Sequence, residues 1–143
     1  MHTIVAILII LATFVLTELS AWFNHKFIMH GFMWHFHADH HKKDHNSKFE
    51  RNDIFFLIYA VPSWLLIMFG MMNGYAWYTW VGFGILLYGL AYFVVHDVII
   101  HQRFKLLTRS TNLYVLALRR AHKMHHKHLG KFDGESFGML LNA

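Results

Sequence analysis

The sequence predicts an all-α integral membrane protein. Three transmembrane helices carry a histidine-rich helical cap on their cytoplasmic side, and the cap holds a di-metal site. Three observations predict this. Three apolar stretches are each long enough to cross a bilayer, and all 13 lysines and arginines lie outside them. Ten of the 14 histidines form two near-copies of one spaced pattern close to the ends of those stretches. Finally, 56% of the 143 residues are apolar and only 15% are charged, against about 25% charged in soluble proteins. A domain this small cannot bury that much apolar surface. Lipid is the natural place for the remainder.

The elements follow in chain order. Thr3 to Phe23 is a 21-residue apolar span, interrupted by Glu18 and a few hydroxyls. It has neither the basic start nor the small-residue cleavage site of a signal peptide, so it reads as a retained span. Ile54 to Met72 adds 19 residues with Pro62 inside, and Tyr75 to Val95 adds 21 with Gly82, Gly84 and Gly89. About 20 helical residues cross the hydrocarbon core, and neighbouring helices make internal Pro and Gly tolerable. Trp64, Trp77 and Trp80, with Tyr75 and Tyr78, sit where interfacial aromatic belts fall. Asn73-Gly74 is a turn signal that folds spans two and three into a hairpin.

Both histidine sets then emerge on one side of the membrane. The basic residues share it, at Lys26, from Lys42 to Arg51 and from Arg103 to Lys131, which marks that side as the cytoplasm. A net charge of +5 confined to such loops argues for membrane topology and against nucleic acid as a partner. The stretch after Val95 is too charged for another full span. Its apolar residues suit helices lying at the interface, with a partly inserted fourth helix around Thr111 to Leu118 as the alternative. Phe132 to Ala143 reads as a loop or cap. The whole chain, 1–143, reads as one membrane-embedded domain, with spans at about 3–23, 54–72 and 75–95 and histidine boxes at 25–41 and 96–126.

The first copy of the histidine pattern is His25, His30, His37, His40 and His41; the second is His96, His101, His122, His125 and His126. Imidazole is the commonest metal ligand among side chains. At 100° per residue, His37, His40 and His41 stand at roughly 0°, 300° and 40°, one face of a helix, and His122, His125 and His126 repeat that arrangement. His30 joins the face of His37 if a helix runs unbroken through Gly31. His25 and His30, like His96 and His101, are five apart, about 140° on an α-helix, so helical spacing does not explain how those pairs converge.

The absence of cysteine excludes disulfides, iron–sulfur clusters and thiolate-bound haem. The absence of a Glu-x-x-His pair excludes a ferritin-like carboxylate site. Imidazole serves Fe, Zn, Cu and Ni alike, so ligand type leaves the metal open. Carboxylates that orient ligand rings are expected among Asp39, Asp97, Asp44 and Asp133. Glu18 is ionisable within a span and so is expected to pair, with Asn24, Lys26 or a ligand histidine, and to help orient the ligand rings alongside Asp39 and Asp97. His2, His35, His45 and His128 fall outside the pattern, and His35 faces away from the His37 triple. A histidine-rich metal carrier is the competing class. A carrier needs polar residues along its spans, and only Glu18 qualifies.

The strings Asn24-His-Lys-Phe-Ile-Met-His-Gly31, His37-Ala-Asp-His-His41, His96-Asp-Val-Ile-Ile-His-Gln-Arg103 and His122-Lys-Met-His-His126, followed by Ser136-Phe-Gly138, carry a resemblance. They are similar to those of the bacterial beta-carotene 3-hydroxylases, in the fatty acid hydroxylase and sterol desaturase superfamily of histidine-box proteins. The resemblance implies a monooxygenase with two Fe ions in a non-haem di-iron centre, ligated by the ten histidines, with no catalytic residue beyond the metal ligands. It implies O2 as co-substrate, a ferredoxin or other reductase as electron donor, and the bacterial inner membrane as location. Carotenoid biosynthesis is the implied role: hydroxylation at C3 of the β-ionone rings, from β-carotene to β-cryptoxanthin and zeaxanthin. The alternative is a related hydroxylase or desaturase acting on a fatty acyl, sterol or other carotenoid substrate. Zinc can replace iron at imidazole sites in a purified sample.

Carotene dissolves only in lipid, so the substrate must enter from the bilayer. Aromatic residues of spans two and three are expected to line its route: Phe55, Phe56, Tyr59, Phe69, Phe83, Tyr88, Tyr92 and Phe93. Lys42, Lys43, Arg103, Arg109, Arg119 and Arg120 form a basic face suited to an acidic electron donor or to lipid headgroups.

Overall fold

The computed structural model describes residues 2–42, 47, 49–130, 132 and 136–139. Lys43, Asp44, His45 and Asp133 lie outside the described residues. Helix α1 (Thr3–Phe23) passes directly into a π-helical segment, Asn24–Phe32, and a short α2 (Trp34–His41) follows. A 3₁₀ turn (Arg51–Asp53) leads into α3 (Ile54–Met72). Helix α4 (Tyr78–Tyr92) continues as a second π-helical segment, Phe93–Ile100, and α5 (Leu113–His125) closes the order. No strand occurs among the described residues.

Helix α4 is the centre of the bundle, packed against α1 on one side and α3 on the other. Glycine makes both approaches close. A Cβ on Gly82 would come within 2.7 Å of Ile67 and 2.9 Å of the Ser63 carbonyl of α3, and one on Gly84 within 2.6 Å of Thr13 of α1. Small residues at helix crossings are how membrane helices associate, because lipid offers apolar side chains no less than another helix does. Ser63 adds a hydrogen bond across the same crossing, donating to the Gly82 carbonyl at 2.8 Å. The outward faces are apolar and uncovered, as at Leu8, Leu11 and Leu16 of α1, Phe56 and Trp64 of α3, and Leu87 and Leu90 of α4. These are lipid-facing surfaces.

Three helices are long and apolar enough to cross a membrane: Thr3–Phe32, Arg51–Met72 and Tyr78–Ile100. The third begins at Tyr78 rather than Tyr75, because the turn is longer than Asn73-Gly74 alone: Gly74 and Tyr75 both have positive φ, 69° and 59°. Spans one and three run past Phe23 and Val95 through their π-helical extensions. Helix α5 has only 13 residues, too few to cross, and its start is set by Asn112, whose side chain accepts from the Tyr114 and Val115 amides. The connection before it, residues 101–112, is irregular.

Candidate metal centre

The two π-helical segments sit where the sequence puts the five-residue histidine spacings. His25 and His30 lie on Asn24–Phe32, and His96 opens a turn that closes with the His101 amide on the His96 carbonyl at 2.8 Å, an i→i+5 bond. Such a ladder widens the turn by about one residue, so positions five apart return nearly above one another. That is how a spacing unsuited to an α-helix presents two imidazoles in one direction. The rings of His25 and His30 stand 5.1 Å apart, and those of His96 and His101 4.5 Å apart. The helix does not run unbroken through Gly31, which has a non-helical backbone (φ −111°, ψ −126°). The chain bends there, and α2 brings His37 back to within 4.9 Å of the His30 ring.

Nine of the ten histidines fall into two groups, each with ligand nitrogens within 4.8 Å of one another: His25, His30, His37, His41 and His125, and His40, His101, His122 and His126. His96 lies beside the second, its ring 4.9 Å from His122 and 5.2 Å from His40. The groups do not follow the two sequence copies. Each His-x2-His-His triple sends its first and third members to one group and its middle member, His40 or His125, to the other. The 60° between the first two members of a triple is what lets one helix serve both. The groups adjoin at His41 and His126, whose rings stack at 4.2 Å.

Hydrogen bonds to Nδ1 aim the rings. His25 Nδ1 meets the Phe137 carbonyl at 2.7 Å and His30 Nδ1 the Leu129 carbonyl at 3.0 Å. His37 Nδ1 meets Asn52 Oδ1 at 2.6 Å, His40 Nδ1 meets Glu50 Oε2 at 2.8 Å, and His96 Nδ1 meets Asp97 Oδ1 at 3.0 Å. A carbonyl or carboxylate accepts only, so in each of these pairs Nδ1 carries the donated proton and Nε2 is the ring atom aimed inward. The inward atoms are crowded. His25 Nε2 lies 3.1 Å from His37 Nε2 and 3.2 Å from His125 Nε2. In the second group His122 Nε2 lies 2.7 Å from His101 Nε2 and 2.8 Å from His126 Nε2. The Nε2 atoms of His40 and His96 are buried with no hydrogen-bond partner among the described residues. Converging lone pairs without protons between them are the arrangement a cation resolves, so the residues present fit a metal centre.

Metal ligation needs neutral imidazole, and burial disfavours the charged form of six histidines outside the spans. It lowers His37 to about 3 and His126 to about 4, and depresses His40, His41, His101 and His122 below the ordinary imidazole value, with neighbouring imidazoles adding to the effect.

The remaining predicted residues are placed as follows. Asp97 touches a ring, that of His96. Asp39 accepts from the Arg51 amide at 2.6 Å, so it ties α2 to the turn before α3. Glu18 is buried in the bundle and accepts from Tyr88 Oη at 2.8 Å. Tyr59 links Asn24 and Ser20 of the first span to α3. Phe55 packs 6.4 Å from the His37 ring and Tyr92 stacks on His96 at 4.5 Å, while Phe93 lies outward beside Phe104. His35 and His128 are exposed. Sequence reading missed Glu50, Asn52 and Phe137. Phe137 is buried, with its ring 4.9 to 5.5 Å from those of His25, His30 and His125.

A family model described as fatty acid hydroxylase matches residues 10–142. Among curated proteins, the chain is similar to the beta-carotene hydroxylase of Pantoea ananas, 40% identical over 133 residues that span 93% of this chain and 75% of the relative. It is 36% identical to the beta-carotene hydroxylase of a Paracoccus species, across 93% of this chain and 82% of the relative. The chloroplastic beta-carotene 3-hydroxylase of Haematococcus lacustris is 39% identical across 66% of this chain and 30% of its own length. No solved structure matches the chain.

Proposed function

The chain belongs to the fatty acid hydroxylase family, and from that premise we propose that it is a carotenoid ring hydroxylase. It acts at C3 of the β-ionone rings, taking β-carotene through β-cryptoxanthin to zeaxanthin. The observation that carries the reading is the convergence of ten imidazoles at the ends of apolar spans, in a chain 36–40% identical to beta-carotene hydroxylases over nearly its whole length.

The two histidine groups would hold two iron ions, with His96 beside the second. Bound there, the ions supply the oxygen activation that no protein side chain can, since an unactivated ring C–H bond is otherwise inert. A small cleft between the groups is lined by Tyr92, Ile100, Phe137 and Met139 together with His25, His96 and His122. Its volume of about 10 Å³ is room for one water, so it marks where apolar residues meet the histidines and is not a formed ring pocket.

Electrons come from a ferredoxin or other reductase, because the chain has no cysteine for an iron–sulfur cluster. A polar cavity of roughly 500 Å³ opens beside His40, His101 and His126 with Arg119 and Lys123 on its wall, which supports the docking of an acidic donor there. The distribution of basic residues supports a cytoplasmic site at the bacterial inner membrane.

The test is the pigment profile of a β-carotene-accumulating bacterial host expressing this chain or its His40→Ala variant, read by chromatography with mass spectrometry. Zeaxanthin and cryptoxanthin with the wild type alone are expected. Unchanged β-carotene, in a host shown to contain the protein and a competent reductase, would redirect the reading to a fatty acyl or sterol substrate.

A further inference from the structure

Arg103 follows the second π-helical segment and is only 21% exposed at its side chain. Its guanidinium reaches three carboxylates from two other parts of the chain. Nη2 donates to Glu50 Oε2 at 2.7 Å, Nη1 and Nη2 both donate to Asp53 Oδ1 at 3.0 Å, and Nε stands 3.8 Å from Asp97 Oδ1. The same Glu50 oxygen accepts from His40 Nδ1, and the same Asp97 oxygen faces His96 Nδ1. These are the two histidines whose buried Nε2 atoms have no partner among the described residues. One comes from each copy of the sequence pattern, and their rings stack at 5.2 Å.

The local sequence explains why the clamp forms. Glu50 and Asp53 cap the 3₁₀ turn reciprocally, Glu50 receiving the Asp53 amide and Asp53 the Glu50 amide, which fixes both carboxylates before α3 begins. The Arg103 amide bonds the Asp97 carbonyl at 2.9 Å, so the turn after His101 folds the guanidinium back toward the same place. A planar fork with five donors suits several carboxylates at once, which the point charge of a lysine does not.

We propose that Arg103 is a positioning residue of the metal centre, holding Glu50 and Asp97 so that His40 and His96 face the second ion. Arg103 lines the same cavity as Arg119 and Lys123, but its guanidinium is engaged by Glu50 and Asp53, whereas Arg119 donates, among the described residues, only to the Ile99 and Leu107 carbonyls. A carboxylate behind a ligand histidine orients the ring and raises its basicity, and removing such a partner costs about 10- to 100-fold in metal affinity. The inference rests on the reading that the two histidine groups hold two ions.

The test uses the purified full chain in detergent, reconstituted with ⁵⁷Fe(II), and reads iron content against a chelator together with the Mössbauer spectrum. Wild type is expected to hold two ions per chain. In Arg103→Gln and in Glu50→Gln, one ion should be lost to the chelator at about 10- to 100-fold lower concentration, and one of two spectral components should change. The other ion should behave as in wild type. Arg103→Lys should recover part of the loss, and the Arg103→Gln, Glu50→Gln double variant should lose no more than the worse single, since both act through one contact. Wild-type iron content and spectra in Arg103→Gln, with only a raised KM for the electron donor, would overturn the proposal and return Arg103 to the docking surface. Equal loss of both ions in both single variants would also overturn it. Fewer than two ions in the wild type would instead overturn the two-ion reading, and the inference with it.

Discussion

The membrane bundle and the histidine cap are built on opposite principles. In the bundle, apolar helices meet at glycines, and the buried Ser63 and Glu18 are tied to partners on neighbouring helices. In the cap, imidazoles are packed with their Nε2 atoms about 3 Å apart, an arrangement that protein atoms alone leave unresolved. The bundle is therefore complete without an ion, whereas the cap is complete only with one. The proposed reaction needs both, a lipid-dissolved substrate requiring the bundle and oxygen activation requiring a metal.

The sharpest way to separate the two regions is His125→Ala. His125 is fully buried, and its Nε2 lies 3.2 Å from those of both His25 and His30. Its loss should abolish hydroxylation and lower bound metal while membrane extraction behaviour stays as in wild type. Retention of full activity would mean that the five-histidine group is not a metal site.

Metal removal should divide the molecule the same way. Hydrogen exchange after chelation is expected to rise in α2 and α5 and to remain slow in α3 and α4. The pH dependence of the metal-free cap follows from the same burial. His37 and His126 are held at about 3 and about 4 against an ordinary 6.5. Below about 6.5 the unfolded cap takes up protons that the folded cap refuses, so cap stability is full above that pH and declines as pH falls toward about 3. Exchange in α5 that is flat across this range would break the comparison.

The two regions also differed in how far the sequence disclosed them. The bundle was legible because composition and length determine a span, and because Asn73-Gly74 marks a turn. The cap was legible only in its parts list. The five-residue spacing of His25 and His30 has meaning only once the helix widens into π geometry, and no apolar pattern announces that change. The exchange of His40 and His125 between groups depends on how two helices face each other, which neither triple encodes alone. Glu50 and Asn52 lie ten and fifteen residues from the rings they orient, so adjacency to a ligand in sequence does not reveal them. Their one sequence signal was the Glu50–Asp53 capping pair before an apolar run. Glu18 was legible as a residue needing a partner, but that partner, Tyr88, sits on another helix.

A change in the bundle should have the reverse signature. Gly82→Leu places a side chain where Ile67 and the Ser63 carbonyl already lie within 3 Å of a Cβ. Overpacking of this kind typically costs about 1–3 kcal/mol. The expected result is a lower thermal midpoint in detergent with the metal content of the folded fraction unchanged. Loss of metal at full helix content would show that the α3–α4 crossing sets the cap's geometry, and the two regions would then be one mechanical unit.

The smallest effect tests whether a polar contact within the bundle serves stability or the site. Tyr88→Phe removes the hydroxyl that donates to Glu18 and leaves the ring, which packs on Phe14 at 5.4 Å. Side-chain hydrogen bonds between membrane helices average about 0.6 kcal/mol, because the unfolded chain in lipid also finds partners. A loss of about that size in reversible unfolding, with hydroxylation unchanged, would place Glu18 and Tyr88 among the bundle's internal ties. Tyr88 is nevertheless one turn from Tyr92, whose ring stacks on His96. A fall in hydroxylation larger than the stability loss explains would therefore extend the site one turn into the membrane, and the boundary between bundle and cap would move from His96 to Glu18.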